Sequence, residues 1–199
     1  MTSAAATSGP ATSDPAGGAP TPGPGAEGSA SPERAGGRTG NRHLVRVTFG
    51  VALAVVLLDQ LTKYLAVRYL EGQPPVEVVG QWVRLVFLRN PGAAFSIGTG
   101  VTFVFSAIAV AVVVVIVRTS RRLGSLAWAI ALGGLLGGAV GNLIDRLFRE
   151  PGFLQGHVVD FIALPHFAVF NLADSAIVCS AIFMVLLSLR GVEISGRRS

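Results

Sequence analysis

From about residue 44 onward the chain consists of long apolar blocks separated by short polar ones. Four blocks run roughly over Leu44–Tyr69, Val101–Val117, Ser125–Ile144 and His166–Leu189. The core of the first, Val47–Leu58, is uncharged and is followed by Asp59 and Lys63. The second and third carry no charge, and the fourth carries one, Asp174. About 20 residues of helix cross the ~30 Å hydrocarbon layer of a bilayer, so the pattern predicts four transmembrane helices. The second block contains AIAVAVVVVIV, whose β-branched residues would favour a strand in water. In lipid the backbone must satisfy its own hydrogen bonds, which makes it a helix.

Between the first two blocks, EVVGQWVRLVFLRN alternates apolar and polar positions, with turn signals on either side in PPVEVVG and NPG. This pattern predicts one or two strands; a plain amphipathic loop is the rival. Residues 1–43 are dominated by Gly, Pro, Ser, Thr and Ala, with six prolines and no aromatic residue. Such a segment cannot bury enough apolar area to offset chain entropy and is expected to be disordered. It lacks the basic start and apolar core of a secretory signal. The expected architecture is an all-α membrane protein with four transmembrane helices over 44–190. A small extracytoplasmic β-element occupies the first outer loop, and the flanking tails are 1–43 and a short basic 191–199.

Composition agrees and adds exclusions. The chain is 51% hydrophobic and 14% charged, with a mean hydropathy of +0.60, which no small soluble domain could hide. The net charge is +5, but the tail is neutral, and elsewhere the arginines flank apolar blocks. That is the arrangement of membrane-adjacent loops, not of a nucleic-acid-binding face. An even number of crossings places both termini on one side. That side would carry Arg34, Arg38, Arg42, Arg46, Arg118, Arg121, Arg122, Arg190, Arg197 and Arg198, which predicts that both termini are cytoplasmic and that loops 71–98 and 148–165 face outward. A single cysteine, Cys179, permits neither an internal disulfide nor a cysteine zinc site. His43, His157 and His166 form no HExxH, so no metal is expected.

The candidate chemistry lies in polar groups placed where lipid should be, which are rare because they are costly. Asp59 and Lys63 are four apart, on one helical face and in the favourable order. They read as a structural ion pair or as direct participants. In GGLLGGAVGNLIDRL, Gly133, Gly137 and Gly141 form one small-residue ridge, and Gly134 and Gly138 a second, spacing that lets helices approach closely. Asn142 and Arg146 share a face, with Asp145 beside them, as substrate contacts or as structural support. Asp160 lies in the second outer loop, and Asp174 near the outer end of the fourth helix, one turn after Asn171. A bend at Pro165 could fold one acid over the other. Two adjacent carboxylates split their proton affinities and suit acid–base work. The alternative pairs Asp174 with Arg146 and uses Asp160 to cap the last helix. Asn90 of NPGAAFS could offer an amide to a peptide backbone.

Taken in order, DQLTK (59–63), NPGAAFS (90–96), GGAVGNLIDRL (137–147), VVDF (158–161) and FNLADSA (170–176) resemble the motifs of bacterial lipoprotein signal peptidase, also called signal peptidase II. The likeness covers about residues 45–190, its motifs are unbroken, and the tail lies outside it. It implies a four-helix membrane aspartic peptidase with both termini cytoplasmic, in the bacterial cell membrane. Such an enzyme cleaves the signal peptide from prolipoproteins just before a diacylglyceryl-modified cysteine. The resemblance implies that Asp160 and Asp174 are the catalytic dyad and that Asn90, Asn142 and Arg146 contact the substrate. Asn171 would hold the dyad, and Asp59, Lys63 and Asp145 would support it. No cofactor is implied; the partners are the lipidated precursor and membrane lipid, and the oligomeric state stays open. A different class, a small proton-coupled exporter using Asp59, Asp145 and Asp174, would call for an internal repeat, and the two halves show no convincing one.

Overall fold

The computed structural model describes residues 36–92, 100–120 and 122–197. The tail up to residue 35, expected to be disordered, and the 93–99 part of NPGAAFS lie outside the described residues. In chain order the elements are α1 (Gly36–Leu70), β1 (Val76–Val79), β2 (Val83–Asn90), α2 (Gly100–Ser120), α3 (Leu126–Phe148), β3 (Val158–Ala163) and α4 (Leu172–Leu189). Among the described residues, three helices are long and apolar enough to cross a membrane, over Arg42–Leu70, Leu126–Phe148 and Leu172–Leu189; Ser106–Ser120 of α2 is a shorter apolar stretch.

Helix α3 is the centre of the bundle, and its glycines explain why. A Cβ on Gly133 would come within 2.7 Å of the Thr48 carbonyl, and one on Gly137 within 2.6 Å of Val55 Cβ. That ridge therefore lies directly against α1. A Cβ on Gly138 would come within 2.5 Å of the Ala173 carbonyl oxygen and one on Gly134 would meet the Ser180 hydroxyl, so the second ridge lies against α4. Both ridges pack helices within one chain. The core between them is formed by Ala52, Ile116, Trp128, Ala129, Leu132, Leu136 and Leu187. Large apolar side chains on the outer faces of α1, α2 and α4, among them Leu53, Leu57, Val114, Val115, Ile182 and Val185, are exposed, as lipid-facing surfaces require.

The strands form one antiparallel sheet in the order β1-β2-β3. The segment between α1 and α2 supplies two strands, within the one or two expected, but the sheet has a third. Asp160, expected in a loop, sits on β3. The apolar run VVDFIA is buried almost throughout, and Val159 and Phe161 pack with Ala66 near the end of α1. Strand alternation then turns Asp160 to the opposite face.

Two helix boundaries also differ from expectation. Helix α1 begins at Gly36, eight residues before Leu44. Helix α4 begins at Leu172 and not near His166, because Phe170 is paired with Ile162 across an antiparallel bridge.

Candidate active site

The C-terminal ends of α1 and α3, the N-terminal end of α4 and the face of β3 opposite Val159 converge at one end of the bundle. There the structure brings together all nine candidate residues, and sorts them into two connected groups.

The first group is centred on Lys63, which is completely buried. Its ammonium reaches Asp59 Oδ2 at 2.8 Å, Asp145 Oδ2 at 3.0 Å and Asn142 Oδ1 at 2.9 Å. An ammonium has three N–H bonds, and here each has an acceptor. Asp59 and Asp145 are equally buried. Asp59 Oδ1 accepts the Ala173 N–H at 2.9 Å, which ties α1 to the first turn of α4. Asp145 accepts from Arg149 at 2.7 Å and from the Val159 N–H at 3.2 Å, which ties α3 to β3 one residue before Asp160. Gln60 Nε2 donates to the Gly141 carbonyl at 3.0 Å and lies within hydrogen-bonding distance of both carboxylates. Gly141 is required here, since a Cβ would come within 2.6 Å of Asp59 Oδ2.

The second group holds Asp160 and Asp174. Asn171 is the N-cap of α4: its side-chain oxygen accepts the Asp174 N–H at 2.9 Å, and its own N–H donates to Asp174 Oδ2 at 3.2 Å, a reciprocal capping box. The Asn171 side-chain Nδ2 donates to Asp160 Oδ1 at 2.7 Å. Asn90, at the end of β2, donates to Asp160 Oδ2 at 2.7 Å, and Asn142 donates to Asp174 Oδ1 at 2.8 Å. Each of the four carboxylate oxygens therefore accepts one amide N–H. The cap is Asn171 and not Asp160, and Asp174 completes it from the third helical position.

Asn142 joins the two groups, since its oxygen accepts from Lys63 and from Asn171 while its nitrogen donates to Asp174. The Arg146 charge lies within electrostatic reach of Asp160, Asp174 and Asp145. Burial, with the nearby charge of Asp174, raises the Asp160 carboxyl from 3.8 to about 6, against the hydrogen bonds from Asn90 and Asn171 and the charge of Lys63, which lower it. Lys63, Arg146 and Arg149 supply three positive charges against the four carboxyl groups of Asp59, Asp145, Asp160 and Asp174. Among the described residues, no cluster of His, Cys, Asp and Glu could hold a metal ion.

The profile of the Signal peptidase (SPase) II family matches residues 51–190. The chain belongs to the signal peptidase II family. A lipoprotein signal peptidase of Streptomyces coelicolor is 53% identical over 174 residues, covering 84% of this chain and 85% of the relative. One of Rhodococcus jostii is 50% identical over 171 residues, covering 86% and 84%. A solved structure described as a bacterial membrane enzyme, determined by the in meso method, superposes with a TM-score of 0.64 at 30% identity, covering 72% of this chain and 92% of that one. As a signal peptidase II, the protein is a membrane-embedded peptidase of the aspartic type. The family assignment displaces the exporter alternative.

Two members of the signal peptidase II network were missed in the sequence. Gln60 reads there as an ordinary polar residue between Asp59 and Leu61, yet it bridges α1 and α3. Arg149 lies four residues after Asp145, the spacing of a helical ion pair, and that signal could have found it.

Proposed function

We propose that the protein removes signal peptides from diacylglyceryl-modified prolipoproteins, cutting just before the lipidated cysteine, with Asp160 and Asp174 as the catalytic pair. The observation that carries this reading is Asn171, one side chain hydrogen-bonded to Asp160 and, through the helix cap, to Asp174. It supports two carboxylates sharing a proton and a substrate water. The ionised member takes a proton from the attacking water while the protonated member gives its own to the scissile carbonyl oxygen; as the C–N bond breaks, the proton taken from water passes to the leaving amine and the tetrahedral hydroxyl returns one to the other member. The raised value of the buried Asp160 carboxyl fits the role of the protonated member.

In this reading Asn90, Asn142 and Arg146 lie beside the pair and contact the substrate backbone. Lys63, Asp59 and Asp145 hold the helix ends and β3 in register. Helix α2, 21 residues long, is long enough at ~1.5 Å per residue to serve as a fourth span. Four crossings and the arginine bias support cytoplasmic termini and a site at the outer face, where water is available. The domain reading is a four-helix peptidase unit over 44–190 with short cytoplasmic tails.

The test is cleavage of a lipidated precursor by purified wild type, Asp160→Asn and Asp174→Asn, each matched for thermal stability. Both variants are expected to lose at least about a thousandfold in rate, within the range for loss of an acid–base group. Cleavage near the wild-type rate by either variant would remove that acid from the pair.

A further inference from the structure

We propose that the opposite end of the bundle carries a binding site for the phosphate headgroup of an anionic phospholipid, built by Arg118, Thr119 and Arg122 against Ile194 and Ser195 of the C-terminal segment. These five residues line a cleft of about 620 Å³ at the junction of α2, the α2–α3 turn and the chain after α4. None belongs to the peptidase site, which lies at the other end of α3.

The cleft has a constructed wall. After α4 the chain does not trail away but turns back over α3. The Trp128 indole N–H donates to the Val192 carbonyl at 2.7 Å, and the Gly124 N–H donates to the Ile194 carbonyl at 2.9 Å. Gly124 lies so close to the Ser195 backbone that no side chain fits there. These contacts fix Ile194 and Ser195 opposite the two arginines.

The charge is unbalanced in the right sense. Among the described residues, the ion pairs of the chain involve Lys63, Arg89 and Arg149, not Arg118 or Arg122, which are both exposed. The acid nearest in sequence, Glu193, accepts the Ser195 hydroxyl at 2.7 Å and lines the adjoining cleft on the Trp128 side. Two guanidiniums and a threonine hydroxyl offer the donors that phosphate oxygens accept.

A lipid is favoured over a free anion by what lies above the cleft. Val110, Val114 and Arg118 follow each other at intervals of four on one face of α2, and both valines are exposed. An acyl chain lying along the valines places its phosphate at Arg118. Basic pockets at the ends of transmembrane helices suit this ligand.

The experiment uses the full chain in a non-ionic detergent, titrated with phosphatidylglycerol, phosphatidylcholine or inorganic phosphate, with bound lipid read by native mass spectrometry. Wild type is expected to retain phosphatidylglycerol, and Arg118→Gln/Arg122→Gln to bind it about thirtyfold more weakly, roughly fivefold for each arginine. Trp128→Phe, which keeps an aromatic side chain but loses the indole N–H that tethers Val192, should weaken binding while leaving both arginines in place. Equal retention by wild type and the double variant, or equal affinity for phosphatidylcholine, overturns the site. Competition by millimolar inorganic phosphate as effective as the lipid overturns the lipid assignment. A melting temperature of the double variant matching wild type shows that lost binding is not lost folding; a lower one transfers the test to Trp128→Phe.

Discussion

Replacing Lys63 by Met tests the buried polar network most directly. The substitution keeps the length and apolar stem of the side chain and removes only the cation. It strips three contacts at 2.8, 2.9 and 3.0 Å from the half-buried Asn142 and the fully buried carboxylates of Asp59 and Asp145. Asp145 keeps Arg149 at 2.7 Å, so the uncompensated charge falls on Asp59, left with the Ala173 N–H and Gln60. Breaking a buried ion pair from one side costs about 3–5 kcal/mol. At roughly 2–4 °C per kcal/mol for a chain of this size, the melting temperature should fall by about 10 °C. The assay is thermal unfolding in detergent followed by the fluorescence of Trp82 and Trp128. A second comparison isolates the cause: Asp59→Leu/Lys63→Met removes both partners of the α1 pair and should melt above Lys63→Met alone. Lys63→Met melting within about 2 °C of wild type, or the double variant melting below it, would refute the account.

Other expectations concern neighbouring features. Asp160 has a folded value of about 6 against 3.8 unfolded, so its proton stabilises the fold; that contribution is complete below about pH 3.8 and is lost as the pH rises through 6. The melting temperature of Asp160→Asn relative to wild type should therefore be more favourable at pH 8 than at pH 5, and a pH-independent difference would contradict it. Asn90→Ala removes a hydrogen bond that holds the Asp160 value down, so the alkaline limb of the cleavage rate, where Asp160 loses its proton, should move to higher pH. Gly138→Ala meets the Ala173 carbonyl and should cost about 1–3 kcal/mol. Gly50→Ala meets nothing within 4 Å and should stay within about 1 kcal/mol of wild type in the same melt.

Much of this was visible in the sequence, because lipid permits few solutions. The Asp59–Lys63 spacing fixes a shared helical face, and two glycine ridges offset by one residue mark a helix with a neighbour on each side. What was not visible depends on distance along the chain. The partner that completes Lys63 is Asp145, and no local pattern links the two. The apolar run around Asp160 contains no turn signal to separate strand from loop; pairing with β2 decides it. The start of α4 was legible in principle, since an Asn followed three residues later by an acid matches a capping box, but the apolar residues after His166 mask it. Gln60 could not have been singled out, because its function lies in bridging backbone and carboxylates of a helix far along the chain.

The cap of α4 has a consequence for heat. Helix ends are where a fold loosens first, well before global unfolding. Here the first turn of α4 is closed by Asn171 and Asp174, the residues that hold the proposed pair together. Fraying of that single turn separates the two carboxylates while the glycine-packed bundle stays intact. Activity should then fade over a temperature range in which the bundle still gives the signal of a folded protein, so the working limit of the enzyme is set by one helical turn and not by the melting of the bundle.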